Sequence, residues 1–366
     1  MKRVIFTEIF KDETRFATKI PQQQYLSCGK YPIIDQGNQF ISGYFNSPKG
    51  IFEKGDAIVF GDHTRILKFI DHPFFIGADG VKILRPANPC DNIKFLYYAL
   101  KALKIPSLGY SRHFKILKES LVGYTTDRQR QNRIVEKLDK IILLISYREK
   151  QLLQLRSLAS SRFIEMFGDI VQNDKNWPVR QFNSIASSRL GKMLDAKKQT
   201  GQHRFPYLAN CNVQWFHFDI SELKEMDFDE ADQQEFELRD GDLLVCEGGE
   251  IGRCAVWHNE IQPCYFQKAI HRVRCNSDIV LPDYLKWWFK ISCENNAFQN
   301  IAGAKATIAH LPGEKLKKLQ VIVPPVGLQR DFTSFLNHLD KSKVTVQKSL
   351  EKLNLLYKAL LQEYFG

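Results

Sequence analysis

The sequence predicts an α+β protein built from two tandem α/β bodies, each followed by a long helix, with the two helices pairing as an antiparallel coiled coil. Three observations predict it. The chain runs twice through one ordered series of motifs. Each run ends in a long segment whose heptad seam contains no proline or glycine. Each seam holds the same tripeptide, in EKLDK at 136–140 and in NHLDK at 337–341. At 366 residues the chain is also long for one domain and comfortable for two.

The repeat sets the elements in order. KYPIID (30–35) and RFPYLA (204–209) each place Tyr/Phe-Pro before apolar residues. EKGDAIVF (53–60) and LRDGDLLVC (238–246) each place a Gly-Asp turn before an apolar strand. DGVKILRPAN (79–88) and FQKAIHRVRCN (266–276) are apolar and basic stretches. IKFLYYAL (93–100) and PDYLKWWF (282–289) are aromatic helices. GYSRHF (109–114) and GAKATIAHL (303–311) are glycine-containing loops ending at a histidine. LKESLVGYTT (117–126) and LKKLQVIVPP (316–325) then lead into the long segments. The offset between copies grows from 174 residues (Pro32 to Pro206) to 201 (Leu138 to Leu339), which places insertions in the second copy, chiefly the acidic stretch 219–238. The expected domains are a first recognition body at 1–126, a first spacer helix at 127–168, a second body at 169–325 and a second helix at 326–366.

In the first long segment Ile134, Leu138, Ile141, Ile145, Leu152, Leu155, Ala159 and Met166 fall at alternating steps of four and three, interrupted by Arg148 and Arg162. In the second, Leu336, Leu339, Val346, Leu350, Leu353, Tyr357, Leu360 and Tyr364 do the same, interrupted by Lys343. Such a narrow stripe is best buried against another helix rather than against a globular body. At 1.5 Å per residue each segment makes a rod of about 60 Å. Head-to-tail pairing would put one body at each end of a shared spacer.

The formal charge is +11, which favours a polyanionic partner. The start MKRVIFTEIFKDETR has an apolar run too short for a signal peptide, and IILLI (141–145) is too short to span a bilayer, so a cytoplasmic protein without membrane attachment is expected. None of the eight cysteines forms a CxxC pair, which argues against structural zinc and for reduced, mostly buried thiols. There is no GxxxxGK[ST] loop and no HExxH. CEGGEIGR (246–253) is not GxGxxG and reads as a tight turn. NPCD (88–91) lacks the second proline and the aromatic of the Asn-Pro-Pro-Tyr/Phe motif of DNA amino-methyltransferases and reads as a turn. No catalytic residues are assigned. Loop residues suited to phosphates and base edges are His63, Thr64, Arg65, Lys68, Tyr110, Ser111, Arg112, His113 and Lys115 in the first copy. In the second they are Arg189, Lys192, Lys197, Lys198, Arg253, Lys268, Lys305, Thr307 and His310.

This order of motifs resembles the specificity subunit of type I restriction–modification systems. The carriers are GDLLVCEGGEIGRCAVW (241–257), KLQVIVPPVGLQRDFTSFLNHLDK (318–341), the helix ends EMFGD (165–169) and EYFG (363–366), and NWPVR (176–180) at the start of the second copy. The first copy departs from it, with GYTTDRQRQNRI where the second has a strand, Pro-Pro and a glutamine. The resemblance implies a non-catalytic reader of double-stranded DNA in a bacterial defence system. Each body would read half of a bipartite target, and the coiled coil would dock two modification subunits. Those would bring S-adenosylmethionine, and restriction subunits would bring ATP and Mg, with none of the three bound by this chain. Two other readings remain open: a stand-alone DNA-modifying enzyme, and a coiled-coil scaffold for proteins alone.

Overall fold

The computed structural model describes residues 1–77, 79–109, 111–195, 199–298 and 310–366. The chain divides into two compact units. One comprises Met1–Lys150 with Val346–Gly366, the other Gln151–Thr345. The divisions fall inside the two long helices, Arg128–Phe167 and Val326–Phe365, so each unit holds one body and part of each helix.

In the first unit an entry strand, Lys2–Ile5, pairs antiparallel with an exit strand, Leu121–Tyr124. Between them lies a four-stranded antiparallel sheet in the order Phe10–Asp12, Val81–Pro86, Ala57–Gly61, Leu67–Ile70. A three-stranded sheet follows the order Gly43–Phe45, Tyr31–Ile34, Phe75–Ile76, and its last pair is parallel. The central strand Ala57–Gly61 is buried along its length, which accounts for its unbroken apolar sequence. Before it, Gly55 takes φ +91, a turn conformation that a side chain would strain.

The second unit repeats this plan. Val179–Gln181 pairs with Gln320–Ile322 as entry and exit. The four-stranded sheet runs Ala186–Leu190, Ile270–Cys275, Leu243–Cys246, Cys254–Val256, and the three-stranded sheet runs Lys224–Asp227, Arg204–Leu208, Tyr265–Phe266, again ending in a parallel pair. Gly241, at φ +84, matches Gly55. The stretch 219–238 is not wholly an insertion: its strand Lys224–Asp227 stands where Gly43–Phe45 stands in the first unit, and it adds the helix Glu230–Phe236, which Asp229 and Asp232 start with a capping box.

In both units the aromatic helix packs between body and long helices. In the first, Ile93–Lys101 buries Phe95, whose ring lies 5.2 Å from that of Phe365. The Tyr98 hydroxyl donates to the Asp139 carboxylate, which Lys94 also reaches at 2.7 Å. In the second, Pro282–Glu294 presents Tyr284, whose ring stacks on Phe163 at 5.6 Å, and Phe163 meets Phe332 at 5.4 Å.

The two helices pair within each unit. Ile134, Val135 and Leu138 share a core with Leu361 and Phe365, and Ala159, Phe163 and Met166 share one with Phe332, Leu336 and Leu339. In the first unit Ile134 lies beside Tyr364 while Asp139 lies beside Tyr357, so the pairing is antiparallel. Ile141 and Val346 are buried, and Ile145, Leu152, Leu155, Leu350, Leu353 and Leu360 are half-buried. Of the interruptions, Arg162 lies 5.8 Å from the Phe335 ring centroid and reaches Glu165 at 2.9 Å, and Lys343 reaches Asp340 at 2.9 Å. Away from the seam the helices expose apolar residues, among them Leu143, Tyr147 and Leu355 in the first unit and Leu153 and Val344 in the second. No described helix is long and apolar enough to cross a membrane.

Candidate nucleic-acid interface

Four loops of the first body meet around Gln36, just beyond the strand Tyr31–Ile34. Its Oε1 accepts the His63 N–H at 3.1 Å, its Nε2 donates to the Asp79 carbonyl at 3.0 Å, and its backbone carbonyl accepts the Thr64 hydroxyl at 2.7 Å. The fourth loop is held from the hairpin side: His113 donates its N–H to the Asp62 carbonyl at 2.8 Å, and Phe114 donates to the Asp62 carboxylate at 2.6 Å. At the hairpin tip Arg65 takes φ +61, and its Nη1 donates to the Ile105 carbonyl at 3.0 Å.

Several residues chosen from sequence are spent inside this scaffold. Lys68 is buried, donating to the carbonyls of Asp35 at 2.8 Å and Gln39 at 2.5 Å, with the Asp35 carboxylate 3.7 Å away. Burial lowers the pKa of its ammonium, against the pull of Asp35. It therefore ties down the loop rather than facing solvent, contrary to its place among the sequence-chosen contacts. His113 is likewise fully buried: Nδ1 donates to the Asp62 carbonyl at 2.9 Å, while Nε2 accepts the Leu108 N–H at 3.2 Å. Both ring nitrogens are engaged, so this histidine shapes the loop. Ser111 bonds the Leu108 carbonyl at 2.9 Å. Arg112, Lys115 and Thr64 are exposed, and Arg112 lies close enough to Asp79 to help hold that carboxyl below the usual range, behind the larger effect of Lys19. Tyr110 lies outside the described residues.

The second body builds the same hub from Asn210. Its Nδ2 donates to the Gly248 carbonyl at 3.1 Å, and its backbone carbonyl accepts Arg253 Nη2 at 2.9 Å. Two backbone bonds fix the register between bodies. Glu247 N–H to the Ala269 carbonyl (2.9 Å) matches Asp62 N–H to the Gly80 carbonyl (2.7 Å). Leu311 N–H to the Glu247 carbonyl (2.7 Å) matches His113 N–H to the Asp62 carbonyl. Gly80 at φ +85 thus corresponds to Ala269 at φ +86, and Asp79 to Lys268. His113 corresponds to Leu311, so the histidine match read from sequence is out by one: exposed His310 stands where exposed Arg112 stands.

The remaining cations of the second body divide in the same way. Arg253 is largely covered and holds Asn210, with Glu250 3.9 Å away. Arg189 pairs with Glu235 at 2.5 Å. Lys192 donates to the Asp227 carbonyl at 2.6 Å and to the Asp232 carboxylate. Both line a cleft of about 870 Å³ that also holds Asp229. Lys268 is exposed. Lys197, Lys198, Lys305 and Thr307 lie outside the described residues. Among the described residues, no group of three or more His, Cys, Asp or Glu side chains is placed to hold a metal ion. Burial pushes the thiols of Cys246 and Cys264 up to about 11 and about 12, so both stay protonated near neutral pH.

Sequence reasoning missed Gln36 and Asn210. The signal was available: each lies four residues after the strand proline, Pro32 or Pro206, in matched strands. What each scaffold presents to solvent is hydrogen-bonding and cationic, suited to phosphates and base edges.

A family profile described as the type I restriction modification DNA specificity domain matches residues 174–355. The specificity subunit assigned to the MjaX type I restriction enzyme of Methanocaldococcus jannaschii is 22% identical over 201 residues, covering 54% of this chain and 47% of that protein. The EcoKI specificity subunit of Escherichia coli is 24% identical over 193 residues, covering 50% and 41%. The chain therefore spans about half the length of the curated relatives it matches. Among solved structures, the S subunit from M. genitalium aligns at TM-score 0.59 with 16% identity over 100% of this chain and 96% of that one. A chain from work on complex assembly and conformational transition of the type I R-M system aligns at 0.63 with 13% identity over 99% and 97%. These likenesses extend the fold to both copies.

Proposed function

Because the chain belongs to the family of type I restriction–modification specificity subunits, we propose that it is the DNA-reading subunit of such a complex, each body reading one half of a bipartite target. The observation that carries the reading is the duplicated loop scaffold, which brings Arg112 and His310 to equivalent exposed points. Two copies of one scaffold carrying different side chains suit two half-sites of different sequence. Lys115, Thr64 and Lys268 accompany them as candidate phosphate or base contacts; Arg65, His63, Ser111, Arg189, Lys192 and Arg253 act through the loops they brace.

The paired helices set the distance between the half-sites, and their exposed Leu143, Tyr147, Leu153, Val344 and Leu355 offer apolar contacts for two modification subunits. The chain itself is non-catalytic. Methyl transfer from S-adenosylmethionine and ATP- and Mg-dependent restriction belong to the modification and restriction subunits, within the cytoplasm.

The test is selection of the full-length chain, alone and with co-expressed modification subunits, against randomised duplex DNA, joined to methylome sequencing of cells with and without the gene. A two-part motif with a fixed unspecified gap, seen in both, is the expected result. Methylation by the purified chain alone would favour an enzyme instead, and absence of salt-sensitive DNA binding in every assembly would favour a scaffold for proteins.

A further inference from the structure

We propose that Gln131 and Gln329 are positioning residues, one at each junction between a body and its long helix, that fix the angle between them and thereby the gap between half-sites. The proposal rests on the DNA-reading function and adds the device that makes the gap sharp.

Both side chains are fully buried. Gln131 lies in the first turn of Arg128–Phe167. Its Oε1 accepts the Asn92 N–H at 2.7 Å; its Nε2 donates to the Asp91 carboxylate at 2.9 Å and to the Thr125 carbonyl at 2.8 Å. Gln329 lies in the first turn of Val326–Phe365. Its Oε1 accepts the Leu281 N–H at 2.8 Å; its Nε2 donates to the Ile279 carbonyl at 3.0 Å and the Pro324 carbonyl at 2.8 Å. Asn92 and Leu281 are the residues that cap the aromatic helices Ile93–Lys101 and Pro282–Glu294. One amide thus joins the same three segments in each unit: the chain leaving the body, the first turn of the long helix, and the start of the aromatic helix.

The sequences around the two residues differ, Thr125-Thr126-Asp127 against Pro324-Pro325-Val326. The clasp persists because it depends on one glutamine side chain meeting backbone groups, joined in the first unit by the Asp91 carboxylate. Gln131 and Gln329 donate their own N–H groups to Asp127 and Pro325, four residues back, at 2.9 and 3.2 Å. Glutamate would lose both donors, asparagine is a methylene too short, and leucine would leave a buried N–H without a partner.

Position, beyond stability, follows from where the clasp sits. Each aromatic helix belongs to its body, with Phe95 and Leu96, or Leu285 and Phe289, buried in the body's core. The apolar contacts between aromatic and long helices are non-directional and tolerate small rotations. The three hydrogen bonds of the clasp are directional and sit at the point where the two helices start, so they select one angle, joined in the first unit by the bonds of Tyr98 and Lys94 to Asp139.

The test uses the full-length chain with Gln131→Asn, Gln329→Asn and the corresponding leucine variants, selected against randomised duplex DNA. The comparison is with Phe74→Leu, which lowers stability from the core of the first body away from either clasp. Each folded clasp variant is expected to keep both half-site sequences while its preference for the native gap over one longer or shorter by a base pair falls about tenfold. Phe74→Leu is expected to keep the single gap. Folded clasp variants with an unchanged gap would overturn the proposal, as would failure of both the asparagine and leucine variants to fold, since the glutamines would then serve stability alone. If the wild-type chain enriches no two-part motif, the DNA-reading function itself fails, and that result is distinct from either.

Discussion

Arg112 and His310 occupy equivalent points of two bodies whose hubs are Gln36 and Asn210, so exchange at these points should alter one half-site at a time. Arg112→Ala is expected to relax recognition of one half-site by about 1–3 kcal/mol where the contact is to a base, or to lower the salt slope by about one where it is to a phosphate. His310→Ala should act on the other half-site only. Binding-site selection with each variant checks this, and equal damage to both half-sites would refute the assignment of one body per half-site. At Ala269 a methyl group is held at φ +86, where the first copy has glycine. Ala269→Gly is expected to stabilise the second unit by about 1 kcal/mol, read as a rise in melting temperature. His271 is buried, donates Nε2 to the Leu311 carbonyl at 3.0 Å, and has its pKa lowered from 6.5 by burial, against the opposing effects of that bond and of Glu247 and with the aid of Lys317. The unfolded chain therefore takes up this proton first. Stability is constant above about 6.5 and falls as the pH drops from there towards the folded value. A His271→Asn variant should lose less melting temperature than the wild type over that window; parallel profiles would exclude the group as the cause.

At the scale of the element, the long helices separate an inward from an outward role. Leu138 is fully buried in the seam, and Leu138→Ala is expected to cost about 2–5 kcal/mol in denaturant unfolding. Leu355 is 66% exposed, and Leu355→Ala should leave stability within about 0.5 kcal/mol while weakening co-purification with modification subunits. The seam was legible because apolar spacing is a property of the chain alone. That the two bodies share one plan was legible as duplicated motifs, since Gly-Asp turns and the Tyr/Phe-Pro pairs kept their places, whereas the order of strands within each sheet was not. The loop register was not. Arg112 and His310 differ in type, and the histidine that draws the eye in the first copy, His113, is buried where the second copy has Leu311. Lys68 failed for a related reason: a lysine looks exposed by type, and only the converging carbonyls of Asp35 and Gln39 reveal that it is inside.

At the scale of the whole molecule, the helices as a ruler give a length prediction. Removing one heptad from each, Glu149–Leu155 with Lys343–Ser349, preserves the alternation of the seam and shortens it by about 10 Å, since each residue rises about 1.5 Å. At about 3.4 Å per base pair the preferred gap should shrink by up to about three base pairs, with half-sites unchanged. Selection from a library varied only in gap length reads the outcome, and an unchanged gap in a folded variant would show that the helices do not measure distance. The entry and exit strands of each body carry a different consequence. Lys2–Ile5 lies against Leu121–Tyr124, and Val179–Gln181 against Gln320–Ile322, so each body opens and closes on one strand pair. A stretch of chain whose two ends are neighbours can be cut out and another inserted without stretching any connection. Under the proposed function, recombination at these strands would exchange one half of the target wholesale and give a new specificity in a single genetic step, with the paired helices left unchanged.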